Sequence, residues 1–220
     1  SALLLHPILR DSQLSKISLQ KFFAYGFFPA PLTPYSGIYK LKPGQIMTVD
    51  TESLSIKLKQ YWSFTLGDKE PPPGSIEDWS TELEYLLKKS VNSRMEADVP
   101  LGFFLSGGID SSGIASLGQC KNTGEPMRTF SIGFKESSFD ESKWAHQVAQ
   151  LINSKHTTET CHFDILKDHM TKLPELLSEP ISDPSILPTH ILSVLAKKHV
   201  NVALSGDGSD ELFAGYDTFR

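Results

Sequence analysis

The stretch that most constrains this chain is Val99-Pro100-Leu101-Gly102-Phe103-Phe104-Leu105-Ser106-Gly107-Gly108-Ile109-Asp110-Ser111-Ser112. An apolar run comes first, then a tight loop of small residues with one carboxylate, then a helix-like segment from Gly113 to Cys120. Strand, small-residue loop and helix start make the layout of a phosphate site. Glycines let the backbone approach an anion closely. Free N–H groups and the dipole at a helix start favour negative charge there. Ser106, Ser111 and Ser112 add hydroxyl donors. A carboxylate among phosphates calls for a cation between them, so Asp110 reads as a Mg2+ ligand. A plain Ser/Gly turn would account for the two glycines alone. The strand before, the Asp and the paired serines favour the phosphate site.

The common nucleotide loop, G-x-x-x-x-G-K-[ST], carries a Lys that reaches the terminal phosphates. No Lys follows the glycines here. The loop instead resembles the S-G-G-x-D-S-[ST] loop of the ATP pyrophosphatases, which cradles the β,γ pair as pyrophosphate leaves. That resemblance implies attack at the α-phosphate and a substrate activated as an adenylate.

Bulk properties narrow the classes. The 220 residues suffice for one good domain or somewhat more. A net charge of −5 without any basic block gives nucleic-acid binding little support. Cys120 and Cys161 show neither metal spacing nor a disulfide framework, and a reduced, cytoplasmic setting fits them best. No apolar run approaches the ~20 residues of a membrane span. Ser1 to Leu9 lacks the basic flank and cleavage site of a signal peptide. With no initiator Met, and a dense motif just before Arg220, both ends read as cut from something longer.

Residues 1–66 form a first block. Ser12 to Gly26 has a loose helical pattern in Leu14, Ile17, Phe22 and Tyr25. Pro29, Pro31 and Pro34 then exclude helix. Gly37 to Asp50 reads as strand, Pro43-Gly44 turn, strand, and Leu54 to Trp62 as another strand. A mostly-β piece this small has little core of its own. Residues 67–74, with Pro71-Pro72-Pro73, are the linker. The second domain covers 75–220. Ser75, with Asp78 three residues on, resembles a capping box. Trp79, Leu83, Leu86, Leu87 and Val91 make one apolar stripe, read as core packing.

Beyond the phosphate loop, Thr123 to Pro126 is a turn and Met127 to Phe134 a strand. Asp140 to Ile152 is a helix with Trp144, Val148 and Leu151 on one face. His156 to Cys161 is a strand, Phe163 to Leu177 and Leu187 to Lys198 are helices, and Val200 to Leu204 is a strand. Strands alternating with helices predict an α/β fold, a parallel sheet with helices on both faces. Ligands in such sheets bind beyond the carboxyl ends of strands. Both glycine-rich loops, after Leu105 and after Leu204, start there.

The second loop is Leu204-Ser205-Gly206-Asp207-Gly208-Ser209-Asp210-Glu211-Leu212-Phe213-Ala214-Gly215-Tyr216. Three carboxylates within five residues are costly together without a cation. They suit a Mg2+ shell around pyrophosphate or the orientation of the acid being adenylated. A capped helix start, with Asp207 or Ser209 as cap, is the plainer alternative.

Together the two loops resemble the signature motifs of the glutamine-hydrolysing asparagine synthetases. Thr129 to Phe134, Phe139-Asp140-Glu141 and Glu179 to Ser185 fit the same family. So do Tyr25 to Pro31 and Leu41-Lys42-Pro43-Gly44, which look like the last part of its glutaminase domain. The resemblance covers nearly the whole chain. It implies that 1–66 are the remnant of an Ntn-hydrolase glutaminase domain and 75–220 the first part of an ATP-pyrophosphatase synthetase domain.

The implied activity is ligase chemistry. ATP and Mg2+ would turn aspartate into β-aspartyl-AMP, and ammonia derived from glutamine would give asparagine and AMP. Ser106, Gly107, Gly108, Ser111 and Ser112 would hold pyrophosphate, with Asp110 on Mg2+. Leu105 and Ile132 would contact adenosine, largely through backbone groups. Ser205 and Gly206 would line the nucleotide and adenylate site. Asp207, where many members carry Glu, would order adenylate and ammonia, and Asp210 would serve Mg2+ or pyrophosphate. Glu211 reads as a helix cap, and Phe213 and Tyr216 as helix-face packing.

Departures accompany the likeness. Neither Cys stands at the chain start, so the glutaminase nucleophile is missing. The family's Lys near the phosphates and much of its acid pocket would lie in the missing remainder, so the piece alone is expected to be weakly active or inactive. Whether it forms a homodimer stays open. Rival readings are a β-lactam synthetase-like cyclase, an enzyme amidating a peptide or polysaccharide carboxylate, or a non-catalytic nucleotide-binding relative. His146, His156, His162 and His169 form no ligand set, and His156 reads as structural.

Overall fold

The structure is a computed structural model that describes residues 2–64, 73–121, 124–135, 140–216 and 218. Most of the 67–74 linker, Thr123 and Phe139 lie outside the described residues. The chain divides into two compact units, Ser1–Pro71 with Lys172–Pro184, and Pro72–Thr171 with Ser185–Arg220.

In the first unit, helix α1 is Lys16–Tyr25. Ser15 caps it by accepting from the N–H of Ser18, and the Gly26 N–H closes it on the Phe22 carbonyl at 2.7 Å. Strands β1 (Gln45–Val49) and β2 (Ile56–Gln60) pair antiparallel, Gln45 opposite Gln60 and Val49 opposite Ile56. The hairpin therefore turns at 50–55. Among the described residues before Pro43 the pairing is limited to two isolated bridges, Leu14 to Tyr35 and Leu32 to Tyr39. The cause is local. Asp50 Oδ1 accepts from the N–H groups of Glu52 and Ser53 and from the Ser53 hydroxyl, which fixes that turn. The segment 172–184 belongs here: Lys40 pairs with Glu179 and also donates to the Phe28 carbonyl, and the Ser182 N–H donates to the Gly26 carbonyl at 2.7 Å.

The second unit opens with α2 (Ile76–Arg94), whose start is a capping box between Ser75 and Asp78. Its apolar stripe is not core. Trp79 is 42% exposed and Leu86 49%, and Val91 is the helix's one buried residue among those described. The helix packs on a neighbour, α3 (Ile109–Lys121).

Strand β3 (Leu101–Phe104) precedes α3. Strand β4 (Arg128–Phe134), helix α4 (Ser142–Leu151) and strand β5 (Lys155–Cys161) follow. The sequence predicts one helix from 163 to 177. The chain instead breaks into α5 (Phe163–Met170) and a short α6 (Leu173–Leu176), the latter in the 172–184 segment of the first unit. Pro174 sits in the first turn of α6, where it can start a helix but not continue one. Helix α7 (Ile186–Lys197), strand β6 (Val202–Leu204) and helix α8 (Ser209–Phe213) complete the unit.

The four strands form a parallel sheet in the order β5-β4-β3-β6. Its two faces carry different cores, because side chains alternate along each strand. Phe103, Leu105 and Met127 pack with Ala115 of α3 and Ala145 and Ala149 of α4. Phe130 packs with Leu195, Ala196 and Val200, and Phe104 joins that side. Helices thus cover both faces, as the alternating pattern predicts.

On α4 the buried face is Ala145 and Ala149, while Trp144 is 51% exposed and Leu151 more so. The predicted face of Trp144, Val148 and Leu151 is therefore displaced around the helix, with Val148 alone packed against the core. Small residues let the helix lie close on the sheet.

Candidate nucleotide site

Sheet order places β3 in the interior, between β4 and β6, with both glycine-rich loops at adjacent carboxyl ends. The Leu105 N–H continues the ladder by donating to the Phe130 carbonyl at 2.9 Å. Leu105 is 1% exposed, and Ile132 is half-buried further along β4. Leu105 thus directly follows β3, and Ile132 lies two residues before the end of the neighbouring β4.

The first loop is held by its own hydroxyls. The Ser106 and Ser111 Oγ atoms lie 2.9 Å apart, the Ser106 N–H donates to Ser111 Oγ at 3.2 Å, and the Gly108 N–H donates to Ser106 Oγ at 3.2 Å. Gly107 has φ +90°, and a β-carbon there would fall 2.6 Å from the Ala145 nitrogen and 2.6 Å from Trp144 Cβ. Only glycine meets both conditions. Ser112 Oγ is buried without a hydrogen-bond partner in the first turn of α3; the Ser112 N–H donates to the Gly108 carbonyl at 3.0 Å, and the N–H groups that open the helix before it have no partners within the helix. A donor left unsatisfied beside open N–H groups suits an anionic oxygen.

The second loop meets the first. A β-carbon on Gly206 would lie 2.9 Å from the Ser111 nitrogen and 3.0 Å from Asp110 Cβ. Ser205 Oγ donates to Asp207 Oδ2 at 2.9 Å, and Ser209 Oγ donates to the Gly206 carbonyl at 2.8 Å. No side chain caps α8. Glu211 instead accepts from the Tyr216 hydroxyl at 2.8 Å, so it is not the cap expected of it. Phe213 and Tyr216 are exposed rather than packed. Asp210 Oδ1 lies against Gly215, where a β-carbon would come within 1.9 Å of it.

Asp110 is exposed. Among the described residues no group of three or more His, Cys, Asp or Glu is placed to hold a metal ion. That donor set still fits Mg2+, which is usually held by one or two carboxylates and by substrate phosphates rather than by a protein cage.

Two neighbourhoods lie outside the two glycine-rich loops. Asp140 Oδ1 accepts from the N–H groups of Phe134 and Ser142, each at 3.2 Å. Hydrogen bonds from Ser142, hydroxyl and N–H, hold the Asp140 carboxyl below its usual range, with smaller help from Phe134 and Lys143. His156 lies in a hydroxyl cluster: Thr129 Oγ1 is 2.8 Å from Nδ1, and Ser131 and Thr158 lie 3.1 and 3.0 Å from Nε2. Burial, and then the nearby His146, push its pKa down. The alternation Thr129, Ser131 in β4 is the signal for this cluster, since it puts hydroxyls among the buried residues of the strand.

A parallel α/β sheet with helices on both faces, and a glycine-serine loop running from a central strand into a helix start, defines the architecture of an ATP-pyrophosphatase domain. The chain belongs to the asparagine synthase family, whose model matches residues 82–220. It is 33% identical over 96% of its length to asparagine synthetase [glutamine-hydrolyzing] 1 of Bacillus subtilis, and 34% identical over 96% to a putative asparagine synthetase [glutamine-hydrolyzing] 2 of Methanocaldococcus jannaschii. It spans 32% and 40% of those two proteins, respectively. Among solved structures, glutamine-dependent NAD+ synthetase from Acinetobacter baumannii, in complex with ADP, is similar with a TM-score of 0.44 and 18% identity, covering 77% of this chain and 31% of that one. Among the described residues no helix is long and apolar enough to cross a membrane.

Proposed function

We propose that residues 75–220 carry the ATP and pyrophosphate site of a ligase that adenylates a carboxylate and amidates it, with the aspartate side chain as acceptor. The observation that carries the reading is the contact of Gly206 with the first turn of α3. It puts the Ser205–Asp210 loop beside the Ser106–Ser112 loop, so one bound nucleotide can touch both.

A carboxylate is a poor acyl donor because oxide is a poor leaving group. Its oxygen attacks the α-phosphorus, the bond to the β-phosphate oxygen breaks, and pyrophosphate leaves. Ammonia then attacks the acyl carbon, AMP departs, and the nitrogen loses a proton to give the amide. Ser111, Ser112 and the N–H groups opening α3 would take the charge that develops on pyrophosphate. Asp110, with Asp210 as second candidate, would hold Mg2+, which when bound neutralises phosphate charge. Leu105 and Ile132 would present backbone groups to adenosine. Ser205 and Gly206 would flank the adenylate, and Asp207, fixed by Ser205, would orient it for ammonia. Ammonia must arrive uncharged and sheltered from water, which suits a coupled glutaminase domain ending in residues 1–66, in a cytoplasmic enzyme.

The test is exchange of labelled pyrophosphate into ATP by the full natural polypeptide containing this chain, with Mg2+, with and without aspartate. Exchange that requires aspartate is the expected result. Tight MgATP binding without aspartate-dependent exchange would move the reading to another carboxylate, as in β-lactam synthetase-like or peptide-amidating relatives.

A further inference from the structure

The phosphate loop lacks the Lys of the common nucleotide loop, yet the fold brings one to its side. Gly107 rests on α4 at Trp144, whose Cβ lies 2.6 Å from where a Gly107 β-carbon would be. The indole therefore leaves the helix beside the loop, and it is 51% exposed rather than in the core. Lys143 Nζ stands 4.9 Å from the centre of a Trp144 ring. A cation held over an aromatic face is restrained without losing its charge. Its neighbour Asp140 already accepts from the backbone N–H groups of Phe134, at the end of β4, and Ser142, at the start of α4.

We propose that Lys143 and Trp144 form a side wall of the nucleotide site, with the Lys143 ammonium serving the polyphosphate of a nucleoside triphosphate. The inference rests on the reading of Ser106–Ser112 as a nucleotide loop and adds a contact that neither glycine-rich motif contains. The incoming phosphates bring negative charge to the loop, and the helix turn that Gly107 touches carries Lys143, whose ammonium also acts on the Asp140 carboxylate. Trp144 shields that interaction from water on one side and anchors the long lysine side chain.

Calorimetric titration of the full chain with MgATP tests it, at low and at moderate salt. Lys143→Gln is expected to weaken binding about fivefold and to flatten its salt dependence, as for one partly screened charge. Lys57→Gln, an equal charge change on β2, is expected to leave binding at the parent value. Lys143→Arg restores it, because charge and not shape is what counts. MgATP is expected to change tryptophan emission in the parent and not in Trp144→Phe. Circular dichroism and the melting temperature show that each variant folds. Parental affinity in Lys143→Gln, failure of Lys143→Arg to restore binding, or an emission change that survives Trp144→Phe overturns the side wall alone. A folded parent that binds no MgATP overturns the nucleotide reading of the loop and the side wall with it.

Discussion

Gly206 lies against Asp110 so closely that a β-carbon on the glycine would fall 3.0 Å from that of the aspartate and 2.9 Å from the nitrogen of Ser111. One glycine thus sets the spacing between two loops about a hundred residues apart in sequence. Both colliding groups belong to the first turn of α3 and one is backbone, so neither can swing aside. Gly206→Ala is expected to push the loops apart, to weaken MgATP binding roughly tenfold or more, and to cost only about 1–3 kcal/mol of stability. Binding and urea denaturation measured on the same preparation check it. Full affinity in the variant would show that the contact does not shape the site.

Asp110 separates metal from packing. It is exposed, so nothing in the fold depends on burying it. Asp110→Asn keeps the shape and removes the charge. The expected outcome is a melting temperature within a degree or two of the parent and loss of roughly tenfold or more in MgATP affinity. Binding that depends on Mg2+ in the variant as it does in the parent would move the ligand role to Asp210.

Local chemistry made the site readable. A phosphate loop needs small residues, hydroxyls and one carboxylate in a fixed order, and Ser106 to Ser112 spell it within seven positions. The strands were readable because β3 and β4 are largely buried on both faces and so are mostly apolar, apart from Arg128, Thr129 and Ser131. What stayed hidden depends on contacts between distant residues. Lys40 finds Glu179 across 139 positions, which draws 172–184 into the first unit. Gly107 finds Trp144, which turns α4 so that Ala145 and Ala149 face the sheet. Periodicity cannot see either. Nor could it see that the stripe is exposed at Trp79, Leu83 and Leu86 while Val91 is buried.

The contact of α3 with the sheet is tighter still. A β-carbon on Gly118 would fall 2.4 Å from Phe103 Cζ. That ring is 1% exposed and enclosed by Leu105, Ala115 and Met127, so it has nowhere to go. Gly118→Ala is expected to destabilise the second unit by about 1–3 kcal/mol, the overpacking cost outweighing alanine's better helix propensity of about 1 kcal/mol. A lower urea midpoint with an unchanged denaturant slope would be the signature. A higher midpoint would mean that the Phe103 ring moves freely.

His156 supplies a pH dependence whose direction follows from its surroundings. Burial is the larger cause of its lowered pKa and the neighbouring His146, with ring centres 6.2 Å apart, the smaller. The neutral ring is the form that Thr129, Ser131 and Thr158 hold. On unfolding, His156 returns to a pKa near 6.5 and binds a proton more readily than in the fold. The unfolded state therefore takes up more protons, and stability must rise with pH through that window. The contribution is complete above the unfolded value near 6.5 and is lost as pH falls towards the lower folded value. Urea midpoints between pH 8 and pH 5 should decline in the parent below about pH 6.5, by more than in His156→Gln, whose amide can keep part of the network without titrating. Parallel curves for the two proteins would place the pH sensitivity elsewhere and leave His156 a neutral packing group.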